Sequence, residues 1–282
     1  FERFNLHTRG QGARGTCSAF TVTGALEFAL AKHTGHGTDL SVEFLNWASN
    51  FAIHDAADGG FFSDLWKGVE SHGICADFHW KYADHFDAAA TPSSFALADA
   101  KAHLADGLAL HWIKPWDVNT GLTPEHLAQI KHTIASGWPV CGGFRWPKQV
   151  SWPDGVLIKP PPEGVRDGHS VLLVAYRDDP RQPGGGVFTF HNSNDPRHDG
   201  QMSYSYAMDY MNDAAWIDLA PAGGETPPAS FSSRLPASPA ACPLRQPSGP
   251  PRRCPSTRTH QHPAPCHVPS TLPSKSRASP SR

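Results

Sequence analysis

Four side chains in this sequence have the types and spacing for acyl transfer. Cys17 follows the glycine-punctuated stretch Gly10–Gly15 and Thr16, and it opens a run, 17–32, with one Gly and no Pro. A cysteine in the first turn of a helix sits where the helix dipole favours thiolate and unbonded N–H groups point outward. Gln11, six residues earlier, could aim its amide N–H groups at the same place, giving with the Cys17 N–H two donors for an oxyanion. His169 stands at the entrance of the apolar run Ser170–Tyr176, and Asn192 closes the run Val187–His191. Antiparallel pairing of those runs would bring the Asn192 carbonyl to the His169 ring and fix its tautomer, completing a Cys/His/Asn set. Singly, each residue has a plainer reading: a core thiol, a loop glutamine, a structural histidine, a turn asparagine.

The elements that must hold these residues fall in order along the chain. Helices are expected over 17–32, from a cap at Asp39–Ser41 to about 51, and over 63–72, 93–105 and 124–136. From 138 the pattern changes to short apolar runs, and 139–144, 170–176, 187–191 and 202–206 read as strands. Helices first and strands later indicate an α+β protein in two lobes.

Residues 221–282 differ in kind. They hold 15 of the 27 prolines, eight Lys or Arg and one acid, whereas residues 1–220 hold 16 basic and 25 acidic residues. With so few large apolar side chains the tail cannot offset the entropy of ordering, and it is expected to be disordered. The acidic body argues against nucleic acid as a partner. No run approaches the ~18 apolar residues of a membrane span. Of six cysteines, Cys242, Cys254 and Cys266 lie in the tail, and the body's Cys17, Cys75 and Cys141 are too few for a disulfide scaffold, so the compartment, cytoplasmic or secreted, stays open. The chain begins at Phe1 and is expected to be a mature form or a fragment. The 17 histidines contain no H-E-x-x-H and the cysteines no C-x-x-C, so a metal site is not expected. Trp112, Trp116, Trp138, Trp146 and Trp152 read as core or interlobe packing, or else as a carbohydrate or peptide groove.

With these residues in view, the stretch Gln11-Gly12-Ala13-Arg14-Gly15-Thr16-Cys17-Ser18-Ala19-Phe20 resembles the Q-G-x-C-G-S-C-W-A-F signature of papain-like cysteine peptidases. Gly168-His169-Ser170 with its apolar strand resembles that family's histidine segment, and Phe190-His191-Asn192-Ser193 its asparagine segment, in the same order. The resemblance runs over roughly 8–217. It implies a two-lobe papain-like fold within 1–220, with a helical lobe at about 10–110, a β-barrel lobe at about 111–220 to which residues 1–9 attach, and the active site in the cleft between them.

It also implies a cysteine peptidase that hydrolyses peptide bonds through a thioester, with Cys17, His169, Asn192 and Gln11 catalytic and no cofactor. Gly59 and Gly60 would bind the substrate main chain. Phe61 and Phe62 would wall a subsite that Gly143 and Gly168 leave roomy for a bulky apolar side chain. Implied partners are a peptide or protein substrate and an inhibitory pro-segment absent from this chain, with the protein itself a monomer. Arg14 stands where the family has a disulfide cysteine, Ser18 where it has Trp, and Asn194 where a Trp shields the His/Asn hydrogen bond. This pattern resembles the family's disulfide-poor prokaryotic branch. The loss at Asn194 implies a wet His169–Asn192 bond and leaves open a weak or inactive peptide-binding protein. A transferase using the same thioester also remains open.

Overall fold

The structure is a computed structural model that describes residues 1–104, 107–152, 155–157, 159–194 and 199–219. The tail expected to be disordered, 221–282, lies outside the described residues.

Helix α1 (Cys17–Thr34) is the element on which both halves rest. It is buried on nearly every face, from Ala19 and Val22 to Ala25, Leu26 and Ala29. It packs against α2 (Val42–Ile53) and α3 (Phe62–His72), and also against three strands of the sheet. A helix apolar all round must be enclosed, and here Leu172, Cys141 and Ile217 from the sheet share one core with α1, α2 and α3. The α2 cap is Ser41, whose Oγ accepts from the Phe44 N–H. Thr16 precedes α1 without capping it; its hydroxyl instead shares a 2.6 Å hydrogen bond with the Tyr82 hydroxyl.

Helices α4 (Ser94–His103) and α5 (Pro124–Ala135) start on the side-chain caps Ser93 and Thr123. Among the described residues, seven strands form one sheet in the order β1 (Leu108–Lys114), β7 (Met211–Leu219), β2 (Val140–Pro147), β4 (Val165–Asp178), β5 (Gly186–His191), β6 (Gly200–Ser203), β3 (Val156–Leu157). The two edge strands, β1 and β3, do not pair with each other, so the expected barrel is an open sheet. The run 202–206 is half strand and half helix: Ser203 caps α6 (Tyr204–Tyr210), taking the Tyr206 N–H.

Residues 1–9 touch both α1 and the sheet region, Thr8 Oγ1 donating to Asp199. Phe4 and Leu6 pack on Ala31 and Phe28 of α1, on the helical side, and Phe1 reaches across to the ring of His191.

Candidate active site

Strand β4 sits between β2 and β5, and its register fixes His169. His169 lies opposite Phe144 of β2, and Leu172 lies opposite His191 of β5. Asn192, the residue after β5, therefore returns beside His169, and His169 Nε2 is 2.9 Å from Asn192 Oδ1. The Asn194 N–H also donates to that oxygen, at 3.1 Å. The backbone N–H can only donate, which marks that atom as the carbonyl oxygen; Nε2 is assigned the hydrogen accordingly, and Nδ1 is the basic nitrogen. The Asn192 N–H is in turn held by Asp199 at 3.0 Å.

Cys17 is the first residue of α1 and is 3% exposed. Its Sγ is 4.0 Å from the carbonyl oxygen of Gly168, the neighbour of His169. The helix N-terminus thus delivers the sulfur to the start of the histidine segment. Gly168 makes this approach at φ 85°, a conformation that favours glycine.

Gln11 is buried and fixed at both ends of its amide. Nε2 donates to Arg14 O at 2.7 Å, and Oε1 accepts from Ser193 Oγ at 2.9 Å. Its backbone N–H donates to Ser193 O at 2.7 Å. The loop before α1 and the segment after β5 are therefore joined through one residue. The second Nε2 hydrogen has no partner among the described residues.

The His169–Asn192 pair is not wet. His169 is 7% exposed and Asn192 4%. The cover comes from Trp146 of β2, whose ring meets the imidazole edge-on with centroids 4.5 Å apart. Trp146 is held there by Phe144, Phe190, Tyr206 and Trp152. Trp216 lies elsewhere, stacked on His111. Burial pushes the His169 pKa down to about 4, against the opposing pull of the Asn192 hydrogen bond. A neutral imidazole is what such burial favours until a negative charge faces it.

Several other sequence expectations meet different surroundings. Gly59 has φ 90°, and a Cβ there would overlap the carbonyl oxygen of Gly15, so glycine is required by close approach. Its N–H donates to Asn46 Oδ1 at 2.8 Å. The Gly60 N–H makes a long 3.3 Å bond to Ser18 Oγ. Phe61 faces Trp116, which leads out of β1, with ring centroids 5.2 Å apart. Phe62 is 1% exposed in the helical core and walls no subsite. Leu65 and Val69 follow it at helical spacing, and that inward stripe was the signal for its burial. The room above Gly143 is taken by Asp213 of β7, whose Oδ1 occupies the space a Cβ would need. Burial pushes the Asp213 pKa up to about 7, partly opposed by Lys114 and the Gly143 N–H.

Against this geometry, the sequence profile described as papain family cysteine protease matches residues 5–206. The chain belongs to the papain family. Among solved structures it is similar to xylellain, a cysteine protease from Xylella fastidiosa, at 22% identity and TM-score 0.61, over 77% of this chain and 84% of that one. It is also similar to digestive procathepsin L 3 of the Tenebrio molitor larval midgut, at 20% identity and TM-score 0.54, over 77% and 68% of the two chains. The proform of the ragweed pollen cysteine protease Amb a 11 gives 22%, TM-score 0.55, and 78% and 64% coverage. No match was found among curated proteins. This papain-family chain has the α+β architecture of those structures, and no helix among the described residues is long and apolar enough to cross a membrane.

Proposed function

We propose that this papain-family chain is a cysteine peptidase that cleaves peptide bonds through Cys17, His169, Asn192 and Gln11. The observation that carries the reading is the 2.9 Å His169–Asn192 bond, which leaves Nδ1 as the basic nitrogen beside the segment that Cys17 Sγ approaches. Nδ1 takes the Cys17 proton, and the thiolate so formed offsets the burial that otherwise keeps the ring neutral. The sulfur attacks the peptide carbonyl. The oxygen gains negative charge and is held by the Cys17 N–H and the remaining Gln11 N–H. His169 then gives its proton to the leaving amine, the C–N bond breaks and a thioester remains. Water, losing a proton to His169, attacks the thioester and releases the acid and the thiol.

Gly59 and Gly60 would lie along the substrate main chain, the peptide displacing the long Gly60–Ser18 bond. The Phe61–Trp116 pair would wall the adjoining subsite, with Asp213 limiting its depth over Gly143. An inhibitory pro-segment fits this reading, since two of the similar solved structures are proforms. The buried state of the His169–Asn192 pair favours an active enzyme over a weak peptide binder. The test is hydrolysis of a panel of peptidyl coumarin amides. Turnover by the native protein that disappears in Cys17→Ala supports the proposal. Absence of turnover with every peptide, or turnover that survives Cys17→Ala, contradicts it.

A further inference from the structure

The side chain of Arg14 is 3% exposed, yet each of its five N–H bonds has an acceptor. Nη1 donates to Glu43 Oε2 at 2.5 Å and to Ala83 O at 2.9 Å, and Nη2 to Glu43 Oε1 at 3.2 Å. Nη2 and Nε take Asp58 at 2.8 and 3.1 Å. The planar group lies 4.5 Å from the Tyr82 ring centroid and 5.8 Å from that of Phe86. A lysine could fill neither the two-carboxylate fork nor the stacked geometry.

Three consequences of this arrangement reach Gln11 and Gly59. The carbonyl oxygen of Arg14 is the acceptor that fixes the Gln11 amide, at 2.7 Å. Tyr82, which the guanidinium covers, donates its hydroxyl to Gln11 O at 2.9 Å. Asp58, held by the guanidinium, is the residue before Gly59, whose own position is set against Gly15 O. The acceptors come from α2, from the loop before α3 and from the 82–86 segment, so a single side chain registers three pieces of the helical lobe against the loop that carries Gln11.

We propose that Arg14 is a positioning residue that holds the Gln11 amide and the Gly59–Gly60 edge in one frame. It acts on the oxyanion through Gln11 and on peptide binding through Asp58. This inference rests on the cysteine peptidase reading above, with Gln11 as the oxyanion donor.

The experiment compares native protein with Arg14→Lys, Arg14→Met and Asp58→Asn in three measurements. The first is kcat and KM for acetyl-leucyl-phenylalanyl coumarin amide, with the inhibition constant of the matching aldehyde, which forms a tetrahedral adduct. The second is alkylation of Cys17 by iodoacetamide, which needs neither oxyanion donor nor peptide subsite. The third is solvent exchange of the Gln11 side-chain amide protons by NMR, which needs no turnover. Arg14→Met should lower kcat about a hundredfold, weaken the aldehyde by a similar factor and speed Gln11 amide exchange at least tenfold. Cys17 alkylation should stay within about twofold. Arg14→Lys should fall about tenfold in kcat, and Asp58→Asn should mainly raise KM by a few-fold. Should Arg14→Met fail to fold, the lysine and asparagine variants carry the same split.

Unchanged kcat, aldehyde affinity and Gln11 exchange in folded variants would overturn the inference while leaving the peptidase reading intact. Equal loss of alkylation and turnover would also overturn it, because that is the signature of general loosening. If native protein itself neither cleaves the substrate nor binds the aldehyde, the peptidase reading fails, and the inference falls with it.

Discussion

Replacing Trp146 by leucine should open the His169–Asn192 bond to water, and the consequence can be worked from the site. Trp146 is 3% exposed and covers the imidazole edge at a 4.5 Å centroid separation. Burial is the first cause of the His169 pKa falling from 6.5 to about 4. That fall amounts to about 3 kcal/mol of preference for the neutral ring at 1.36 kcal/mol per unit. Leucine keeps apolar volume and removes one wall of the enclosure. Recovery of roughly a third of the desolvation would raise the pKa by about one unit. The hydrogen bond, now shared with water, would lose on the order of 1 kcal/mol of orienting strength, or about fivefold to tenfold in kcat. The assay is an NMR titration of His169 in protein whose Cys17 is S-methylated, so that no thiolate contributes, alongside kcat of the unmodified variant. A double-mutant cycle with Asn192→Ala should show coupling, since both changes act on one bond. Asn194→Trp should give no gain, because the shield is already present. An Nδ1 titration and a kcat that both stay at native values in a folded Trp146→Leu protein would refute the reasoning.

The other expectations follow from the same geometry. Gln11→Ala should lower kcat by roughly ten- to a thousandfold with little change in KM, the range for loss of one oxyanion donor; a raised KM at constant kcat would remove that role. Asp213 is raised from 3.8 to about 7, so the folded protein keeps a proton that the unfolded chain releases near pH 4. Its contribution to stability therefore falls as pH rises from about 4 to about 7 and is level above. Asp213→Asn should raise the thermal midpoint at pH 8 by an amount equivalent to at most about 4 kcal/mol and leave it unchanged near pH 4; an equal gain at both pH values would contradict this. Glu27, also raised to about 7 by burial, leaves part of the pH slope in place. Phe61→Ala should raise KM for peptides with a bulky apolar side chain two residues before the cut and spare kcat; an unchanged KM would place that side chain elsewhere.

The helical half was legible because its signals are local. Ser41, Ser93 and Thr123 each cap a helix with a side-chain oxygen, the apolar spacing of α2, α3 and α5 is regular, and α1 is a long run with one Gly and no Pro. Strands β1 and β7 were not legible. Lys114, Asn212 and Asp213 break their apolar pattern, and these polar residues are buried; Lys114 Nζ donates to Asn212 O across the pair and to Asp117 O. The meeting of His169 with Asn192 followed from two apolar runs that had to pair. Trp146 did not follow, because its contact with His169 bridges a β-bulge between β2 and β4 and leaves no sequence spacing to read. The Arg14 acceptors lie 29, 44 and 69 residues away, beyond any local pattern. Phe62 misled because it adjoins Phe61, and adjacent residues at a helix start point to different sides.

The central claim is that Cys17 is the nucleophile, served by His169. The most direct measurement is labelling of the whole chain with an epoxide thiol-protease inhibitor at pH 7, followed by mass mapping of the modified residue in native protein and in His169→Ala. Burial holds the Cys75 thiol at about 12 and pushes Cys141 higher still, so neither supplies thiolate at that pH. The account predicts one label, on Cys17, that is lost in His169→Ala. Comparable labelling of Cys75 or Cys141, or labelling of Cys17 that is indifferent to His169, would contradict it.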